Sequence, residues 1–451
     1  MDSNKSASAE STADAIGSST IRKISWRILP VIVMMYFVAY IDRTNVSFAA
    51  IGMNRDLGFT SYLYGWGAGI FYLGYILFEV PSNVFMLRTG VRLWNVRILV
   101  SWAVLAAAMA FVSGPTSFIV MRFLMGVAEA GFFPGMILYF TFWFPARYRA
   151  RVIAVLYLAV PGSNAVAAAL SSAILKLDGW LGIAGWKWIF LCEGLPALVM
   201  AVLVFYVFVD RPADARWLSD AQKVWLQRTL AEEAGKKEVV AGSGSVWATM
   251  VNPRVLALSA ISFTIITATL GVTYFLPLII KSMGYSDAAT GYATAIPYVV
   301  GTVGMFLFGL SSDRNNERKW HFIAAAVLAA GGLIASGWLL GSAWALVAMC
   351  VATIGIYGAK PAFWSMPSDY LSGTAAAAGI ALVNSVGNLG GFVGPYIVGW
   401  LKQTSSSYEP GLYFLAGSAA LAGLLTLLSI PGGRRRAPTP VATGQFNDSR
   451  A

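Results

Sequence analysis

The segment ILPVIVMMYFVAYIDRTNVSFAAIGM, Ile28 to Met53, is an apolar run that is interrupted by one aspartate and one arginine. It exceeds the roughly 20 residues that an α-helix needs to cross the hydrocarbon core of a bilayer. Asp42 and Arg43 stand side by side within it. Charged side chains at that depth are costly and usually face the interior of a helix bundle. The segment therefore predicts a membrane-spanning helix with inward-facing charges.

The whole chain repeats this pattern from end to end. Of its 451 residues, 57% are hydrophobic and only 12% are charged, which is about half the charge of an average soluble domain. Short strands of alternating polarity, typical of membrane β-barrels, are not seen in the sequence. We therefore predict an all-α membrane protein with twelve transmembrane helices, at about 27–50, 62–85, 93–112, 116–142, 150–175, 187–209, 254–280, 290–311, 320–340, 343–366, 375–401 and 411–430.

A charged stretch in the middle of the chain separates the first six predicted helices from the last six. Its centre, AEEAGKKEVVAGSGS, is typical of a solvated linker. The sequence therefore predicts two pseudo-symmetric six-helix bundles. The predicted parts are a disordered cytoplasmic tail (1–25), the first bundle (26–209), a cytoplasmic linker (210–253), the second bundle (254–430) and a cytoplasmic C-terminal tail (431–451).

Lysines and arginines are distributed unevenly over the predicted loops and tails. Of the 32, 24 lie on the side that holds both termini and the linker, five lie on the opposite side, and three lie within helices. Because cytoplasmic loops carry an excess of these residues, we expect both termini in the cytoplasm and the protein in the inner membrane. This topology also accounts for most of the net charge of +11 without a nucleic-acid partner.

Few residues are available for metal or nucleophilic chemistry. Cys192 and Cys350 both fall in apolar segments, where a cysteine is more often a small buried side chain than part of a disulfide. His321 is the only histidine, so a His/Cys metal site is not expected. A serine–histidine pair would have to use this histidine at a loop edge. We expect no cofactor and no enzymatic activity.

The loops after the second and eighth predicted helices resemble each other. Arg88 and Arg92 in MLRTGVRLW align with Arg314 and Arg318 in SSDRNNERKW at a common offset of 226 residues. Two related halves joined by a linker are typical of transporters. The second loop, GLSSDRNNERK, is similar to the loop motif of the major facilitator superfamily between the second and third helices of each half.

Two other stretches carry a more specific resemblance, which extends over nearly the whole chain. YIDRTNVSFAA (40–50) and FWSMPSDYLSGTAAAAGIALVNSVGNLGGFVGP (363–395) resemble the anion:cation symporter branch of that superfamily. This branch includes permeases for galactonate, tartrate, phthalate and hydroxyphenylacetate. The resemblance implies the major facilitator fold, a small organic anion as substrate and H⁺ as the coupling ion. Loop residues at the cytoplasmic helix ends are expected to bridge helices and separate on switching, namely Arg88, Arg92, Asp313, Arg314 and Arg318.

Helical spacing indicates which charged side chains inside the membrane share a helix face. Asp42 lies about 21 Å from the inner end of the first helix at 1.5 Å per residue. Arg122 and Glu129 are seven residues apart, which places them on one face of the fourth helix. Tyr40 shares a face with Arg43, whereas Asp42 is turned about 100° away. The four charges sum to zero, so protonation of one carboxylate leaves a positive site that favours an anion.

These positions predict specific roles. Arg43, with Tyr40 beside it, would hold the substrate carboxylate, because a guanidinium offers a bidentate fork. Glu129 would be the leading proton carrier, since low dielectric disfavours a charged carboxylate. Asp42 would be the second carrier, with Arg122 as its candidate partner. The galactonate-type permeases, which share YIDR and the Arg-to-Glu spacing, imply the same division of roles. The alternative is a set of structural ion pairs that lock the first helix to the fourth.

Further candidate ligands come from both halves. Tyr75 and Arg122 in the first half, and Trp364 and Asn384 in the second, are predicted to contact the substrate. The alternatives are aromatic packing for Tyr75, a membrane-interface position for Trp364 and an interhelical amide bond for Asn384. Lys360 could add a second positive group for a diacid, or extend toward the cytoplasm, which we favour at this stage.

The sequence as a whole favours a monomeric transporter that imports an organic carboxylate with protons by alternating access. An organophosphate:phosphate exchanger would need matched basic residues from both halves, and the seventh helix carries Arg254 only at its inner end. A membrane sensor would need a signalling domain, and a membrane enzyme would need a nucleophile–base pair or a metal set. Neither of these is found in the sequence.

Overall fold

A computed structural model describes residues 2–240, 250–367 and 373–430. These residues are almost entirely helical. The helices are α1 (Asp2–Leu57), α2 (Ser61–Thr89), α3 (Val91–Ala108), α4 (Pro115–Glu129), α5 (Phe132–Trp143), α6 (Ala146–Leu175), α7 (Gly185–Val207), α8 (Asp220–Val240), α9 (Pro253–Ser282), α10 (Asp287–Asn315), α11 (Lys319–Trp338), α12 (Trp344–Ser365), α13 (Gly373–Ser405) and α14 (Glu409–Ser429).

The predicted all-α membrane protein is confirmed. Within the described ranges, eleven helical stretches are long and apolar enough to cross a bilayer. Together with the 33-residue helix α13 they account for the twelve predicted segments. The fourth of these stretches is broken, because α4 ends at Glu129 and α5 starts at Phe132. Gly131 lies in the break with φ of 81°, a left-handed conformation that glycine adopts without steric cost.

The chain folds as two halves of six membrane-spanning segments each, α1–α7, in which α4 and α5 together form one segment, and α9–α14. The halves meet along a few helix pairs. The main contacts between the halves join α2 to α13, α6 to α10 and α1 to α9. We call the end of the bundle at which α8 lies the linker end, and the opposite end the far end. These pairings leave the middle of the molecule to be lined by α1, α2 and α6 from one half and by α9, α12 and α13 from the other.

The N-terminal residues differ from the prediction of a disordered tail over 1–25, because α1 already begins at Asp2. Ile21 and Ile24 are buried in the same core as Ile28, at a spacing that places all three on one helix face. Gly17 lies against the ring of Trp225 in α8, and a Cβ there would collide with it. The first helix therefore extends past the membrane and packs on the linker.

The predicted linker, 210–253, contains the helix α8. Arg149 at the start of α6 donates to Glu233 over 3.2 Å and fixes α8 to the first half. The rings of Trp143 and Trp217 stack beside it with centroids 5.5 Å apart. Residues 241–249 of the linker and the predicted tail at 431–451 lie outside the described residues.

Candidate functional site

A cavity lies between the two halves near the middle of the bundle. It encloses about 1100 Å³ of space between atoms, including the part that is open to solvent. Its walls are mostly aromatic and hydroxyl-bearing side chains, with the predicted site residues Tyr40, Arg43, Tyr75, Trp364 and Asn384 among them. Of the residues predicted to bind substrate or carry protons, Asp42, Arg122 and Glu129 do not line it.

Arg43 and Glu129 form an ion pair beside the cavity. Nε of Arg43 donates to Oε1 of Glu129 over 2.6 Å, and a guanidinium Nη contacts the same oxygen. The arginine side chain keeps 13% of its surface exposed toward the cavity, whereas the glutamate side chain keeps only 1%. Glu129 is the last residue of α4, and carbonyl groups at a helix C-terminus disfavour a nearby negative charge. The guanidinium offsets that cost and presents its remaining N–H groups to the cavity.

Aromatic rings surround the Arg43 guanidinium. Its Cζ lies 5.2 Å from the ring centroid of Tyr40, 5.3 Å from that of Tyr75 and 5.6 Å from that of Phe71. Ring faces attract a cation at such distances, and the rings exclude water from the polar contacts. Tyr40 and Tyr75 both line the cavity, so their hydroxyl groups are available to a ligand that Arg43 holds.

Asp42 lies away from the cavity, in the interior between α1 and α3. Its carboxylate accepts hydrogen bonds from Nε1 of Trp102 and from Nδ2 of Asn45, the latter over 2.9 Å. The pairing with Arg122 that the sequence suggested is not found, because the turn of about 100° from Arg43 points Asp42 at α3. Asp42 nevertheless lies close enough to Glu129 and Arg122 for their charges to interact.

Arg122 fixes helices together at the far side of the cavity. It is fully buried and donates to the backbone carbonyls of Gly67 and Ala68 over 3.2 and 3.3 Å. The same guanidinium reaches the hydroxyl of Tyr274 in the other half over 3.4 Å. Arg122 therefore does not line the cavity in this conformation, because α2 and α9 enclose its side chain. Its contacts instead connect the two halves toward the far end.

The far end is closed by close backbone packing between α2 and α13. A Cβ on Gly65 would collide with the carbonyl of Pro395, and a Cβ on Gly399 would collide with that of Ser61. The hydroxyl of Tyr64 donates to the carbonyl of Tyr274 over 2.8 Å in the same region. The cavity is therefore separated from the far end, while its lining continues toward the linker end.

Side chains make contacts between the halves at the linker-end side of the cavity. Nδ2 of Asn384 donates to Oε1 of Glu79 over 3.1 Å, which joins α13 to α2. The rings of Trp364 and Tyr157 stack with centroids 5.7 Å apart, which joins α12 to α6. Asn384 and Trp364 thus contribute both to the cavity wall and to contact between the halves.

Lys360 lies in the cavity wall, which differs from the prediction that it extends toward the cytoplasm. It is partly buried on α12, and its Nζ lies 4.7 Å from the ring centroid of Tyr357. Tyr357 in turn accepts a hydrogen bond from Nδ2 of Asn164 over 2.9 Å. The aromatic ring and the cavity surface hold the ammonium inside the protein.

The loop-motif residues make local contacts in this conformation. Arg318, just before α11, pairs with Asp313 in the last turn of α10 over 2.6 Å, and the backbone N–H of Arg92 donates to Asp210 over 2.9 Å. No described contact of Arg88, Arg92, Asp313, Arg314 or Arg318 joins the two halves. Nearby, hydrogen bonds from the backbone N–H groups of Trp320 and His321 outweigh partial burial and lower the pKa of Glu317.

The sequence analysis missed one buried carboxylate, Glu193 on α7. It is 1% exposed, and the hydroxyl of Ser171 donates to its Oε1 over 2.6 Å. None of its described ion-pair or hydrogen-bond contacts involves a cation. The signal was available, because Glu193 interrupts the apolar segment predicted at 187–209.

Comparison with known proteins agrees with this architecture. The family model described as Major Facilitator Superfamily matches residues 32–395. A protein of Agrobacterium vitis named "Putative tartrate transporter" is 45% identical over 428 residues, which are 95% of this chain and 94% of that protein. A protein of Acinetobacter baumannii named "Quinolone resistance transporter" is 39% identical over 88% of this chain and 91% of its own length.

The solved structures with a similar fold include that of the xylose transporter XylE from E. coli. It superimposes with a TM-score of 0.73 at 17% sequence identity, and covers 93% of this chain and 100% of that one. That likeness confirms the predicted fold of two six-helix halves. The family model and the relatives that match over most of their length are transporters, so the chain is a transporter and not an enzyme. The chain therefore belongs to the Major Facilitator Superfamily, in its anion:cation symporter branch, and is a multi-pass membrane transporter of a small molecule.

Proposed function

We propose that the protein imports an organic carboxylate together with protons. The observation that carries this proposal is the charge of the cavity. Among the described residues that line it, Arg43 and Lys360 are cationic and none is an aspartate or glutamate. Two carboxylates adjoin the lining without being part of it: Glu129 is held behind Arg43 by their ion pair, and Glu79 accepts a hydrogen bond from Asn384. Such a lining attracts an anion and offers a guanidinium, whose fork matches a carboxylate.

Proton coupling follows from competition for Arg43. While Glu129 is charged, it occupies Nε of Arg43 and offsets the positive charge. Protonation of Glu129 would remove that ion pair, leave Arg43 uncompensated in a low-dielectric site and strengthen anion binding. Proton and anion would then load together and leave together. In this scheme the Arg43–Glu129 pair belongs to the empty transporter.

Asp42 is the second carboxylate that we propose for proton transfer. It is buried one residue from Arg43 and interacts electrostatically with Glu129. Its hydrogen bonds from Trp102 and Asn45 hold it apart from the substrate, so it would act on protons only. Each single chain contains the whole cavity, which supports function as a monomer.

The excess of lysine and arginine at the linker end supports a cytoplasmic position for that end and for both termini. The closed far end would then face outward, and the structure would represent an inward-facing conformation. An inner-membrane location fits this orientation. Alternating access would require the α2–α13 contacts at the far end to open while contacts at the linker end form.

The proposal is tested by uptake into proteoliposomes under an imposed inward proton gradient. The purified full chain is presented with labelled tartrate, galactonate, phthalate or hydroxyphenylacetate. We expect at least one acid to accumulate, with accumulation lost when the gradient is collapsed. Exchange of anions without any response to the gradient would contradict proton coupling and favour an antiporter. Extrusion of a cationic drug, with no carboxylate taken up, would contradict the proposal altogether.

A further inference from the structure

The cavity holds a second cation that the proton-coupling scheme does not use. Lys360 lies on α12 in the second half, whereas Arg43 lies on α1 in the first. Both side chains line the same space. The two cations therefore face one cavity from opposite halves of the protein.

The two cations differ in how their charge is balanced. Arg43 is already ion-paired with Glu129. Among the described residues no carboxylate lies within ion-pair distance of Lys360, and its described contact is with the ring of Tyr357. An ammonium withdrawn from bulk water without a counter-charge is costly, and an anionic group in the cavity would remove that cost.

We infer that Lys360 binds a second carboxylate, so that the transporter selects small hydroxylated dicarboxylates over monocarboxylates. This inference rests on the proposed function and names its substrate class. One carboxylate would pair with Arg43 and the other with Lys360. The cavity that both cations line also contains the side chains of Tyr40, Tyr75, Tyr357 and Asn164, whose hydroxyl and amide groups are suited to hydroxyl groups on the ligand's carbon chain.

The pairing also gives the second half a role in substrate binding. A dicarboxylate held by α1 and α12 would connect the two halves through the ligand. A monocarboxylate would leave Lys360 unpaired in the cavity. A charge-assisted hydrogen bond to the missing carboxylate corresponds to about 10- to 100-fold in affinity.

The test compares two acids that differ in one group. Tartrate carries two carboxylates, and threonate replaces one of them by a hydroxymethyl group. Dissociation constants are measured for both acids with the purified full chain, for wild type, Lys360→Met and Lys360→Arg. The control is Lys402→Met, since Lys402 lies outside the cavity and donates to the carbonyl of Ser406.

We expect wild type to prefer tartrate by about tenfold or more. Lys360→Met should remove that preference by weakening tartrate alone, and Lys360→Arg should retain part of it. Lys402→Met should behave like wild type. Equal weakening of both acids by Lys360→Met, or equal affinities in wild type, would overturn the inference while leaving carboxylate transport intact. Failure of wild type to bind or transport any carboxylate would overturn the proposed function as well.

Discussion

Arg43 of α1 donates from Nε to Oε1 of Glu129 over 2.6 Å, which joins the first helix to the last residue of α4 at the edge of the central cavity. The arginine is partly open to the cavity, whereas the glutamate is buried behind it. One guanidinium can therefore serve either the buried carboxylate or a carboxylate in the cavity. Because the two carboxylates compete for Arg43, protonation of Glu129 would free the guanidinium to bind an anion.

Glu129→Gln should uncouple transport from protons. Glutamine has nearly the same shape but does not take up a proton, and Arg43 would stay free of a counter-charge. We expect gradient-driven accumulation to fall at least tenfold, while exchange of labelled for unlabelled substrate across the membrane continues. Both are measured in proteoliposomes with the acid identified by the uptake screen.

Glu193→Gln is the matched control for that variant. Glu193 is an equally buried carboxylate that does not line the cavity, and its bond from Ser171 can be accepted by an amide oxygen. Accumulation should stay within about twofold of wild type. Equal losses in both variants would indicate a general effect of removing a buried carboxylate, and the role of Glu129 would have to be abandoned.

Arg43→Lys should impair transport although it keeps the positive charge. A lysine lacks the planar fork and the Nε–H group that bonds Glu129. We expect uptake at subsaturating substrate to fall at least tenfold. Arg55→Lys serves as the control, because Arg55 lies on the same helix, is 67% exposed and pairs with Asp56. A normal rate with Arg43→Lys would show that charge alone is sufficient.

Asp42→Asn should weaken proton coupling without changing substrate affinity, because Asp42 does not line the cavity. We expect accumulation to fall by about fivefold or more, with the same apparent affinity. Asp56→Asn is a close control, since Asp56 also lies on α1 and accepts an indole N–H, from Trp186 over 2.9 Å. Wild-type accumulation by Asp42→Asn would assign Asp42 to packing.

Tyr64→Phe should loosen the far end. It removes the buried bond from the Tyr64 hydroxyl to the carbonyl of Tyr274, which is worth about 1 kcal/mol, or about fivefold in the ratio of closed to open states. A cysteine at Thr273, in the cavity wall, should then react faster with an impermeant maleimide added at the far side. Cys192 and Cys350 are replaced by serine in this background. Tyr413→Phe should leave the labelling rate unchanged, because the described hydrogen bond of the Tyr413 hydroxyl is to Glu409 on the same helix, α14.

Gly69→Val should hold the far end open. A Cβ at Gly69 would lie 2.8 Å from the carbonyl oxygen of Phe392 in α13, so the added methyl groups would force α2 and α13 apart. We expect uptake to fall about tenfold or more, with increased far-side labelling at position 273. Gly331→Val is the control, because nothing lies within 4 Å of a Cβ there. A loss of uptake without increased labelling would speak against a gate at this contact.

Much of this arrangement could be predicted from the sequence. The periodicity of 3.6 residues placed Arg43 and Tyr40 on one face of the first helix and turned Asp42 away, and the structure has the same orientation. Because a charged side chain is costly to expose to lipid, the charged residues within the apolar segments were expected to face the interior of the helix bundle. The similarity of the two halves was predicted from their loops, because Arg88 and Arg92 recur as Arg314 and Arg318 at the same offset of 226 residues.

Other features could not be predicted, because they depend on which helices meet. The period of α1 shows that Asp42 faces a neighbour but does not identify Trp102 as its partner. Arg122 shares a face with Glu129, yet its long side chain reaches carbonyl groups of α2 and not the cavity. The helical start of the chain was missed although Ile21, Ile24 and Ile28 have helical spacing, because the flanking serines and alanines indicated disorder.

The central claim is that anion and proton move together, and the most direct test is proton movement driven by substrate. Proteoliposomes containing a pH-sensitive dye are prepared without a proton gradient, and the acid found in the uptake screen is added outside. The account predicts acidification of the interior by wild type and none by Glu129→Gln. Substrate entry into wild-type vesicles without any change in internal pH would contradict the account.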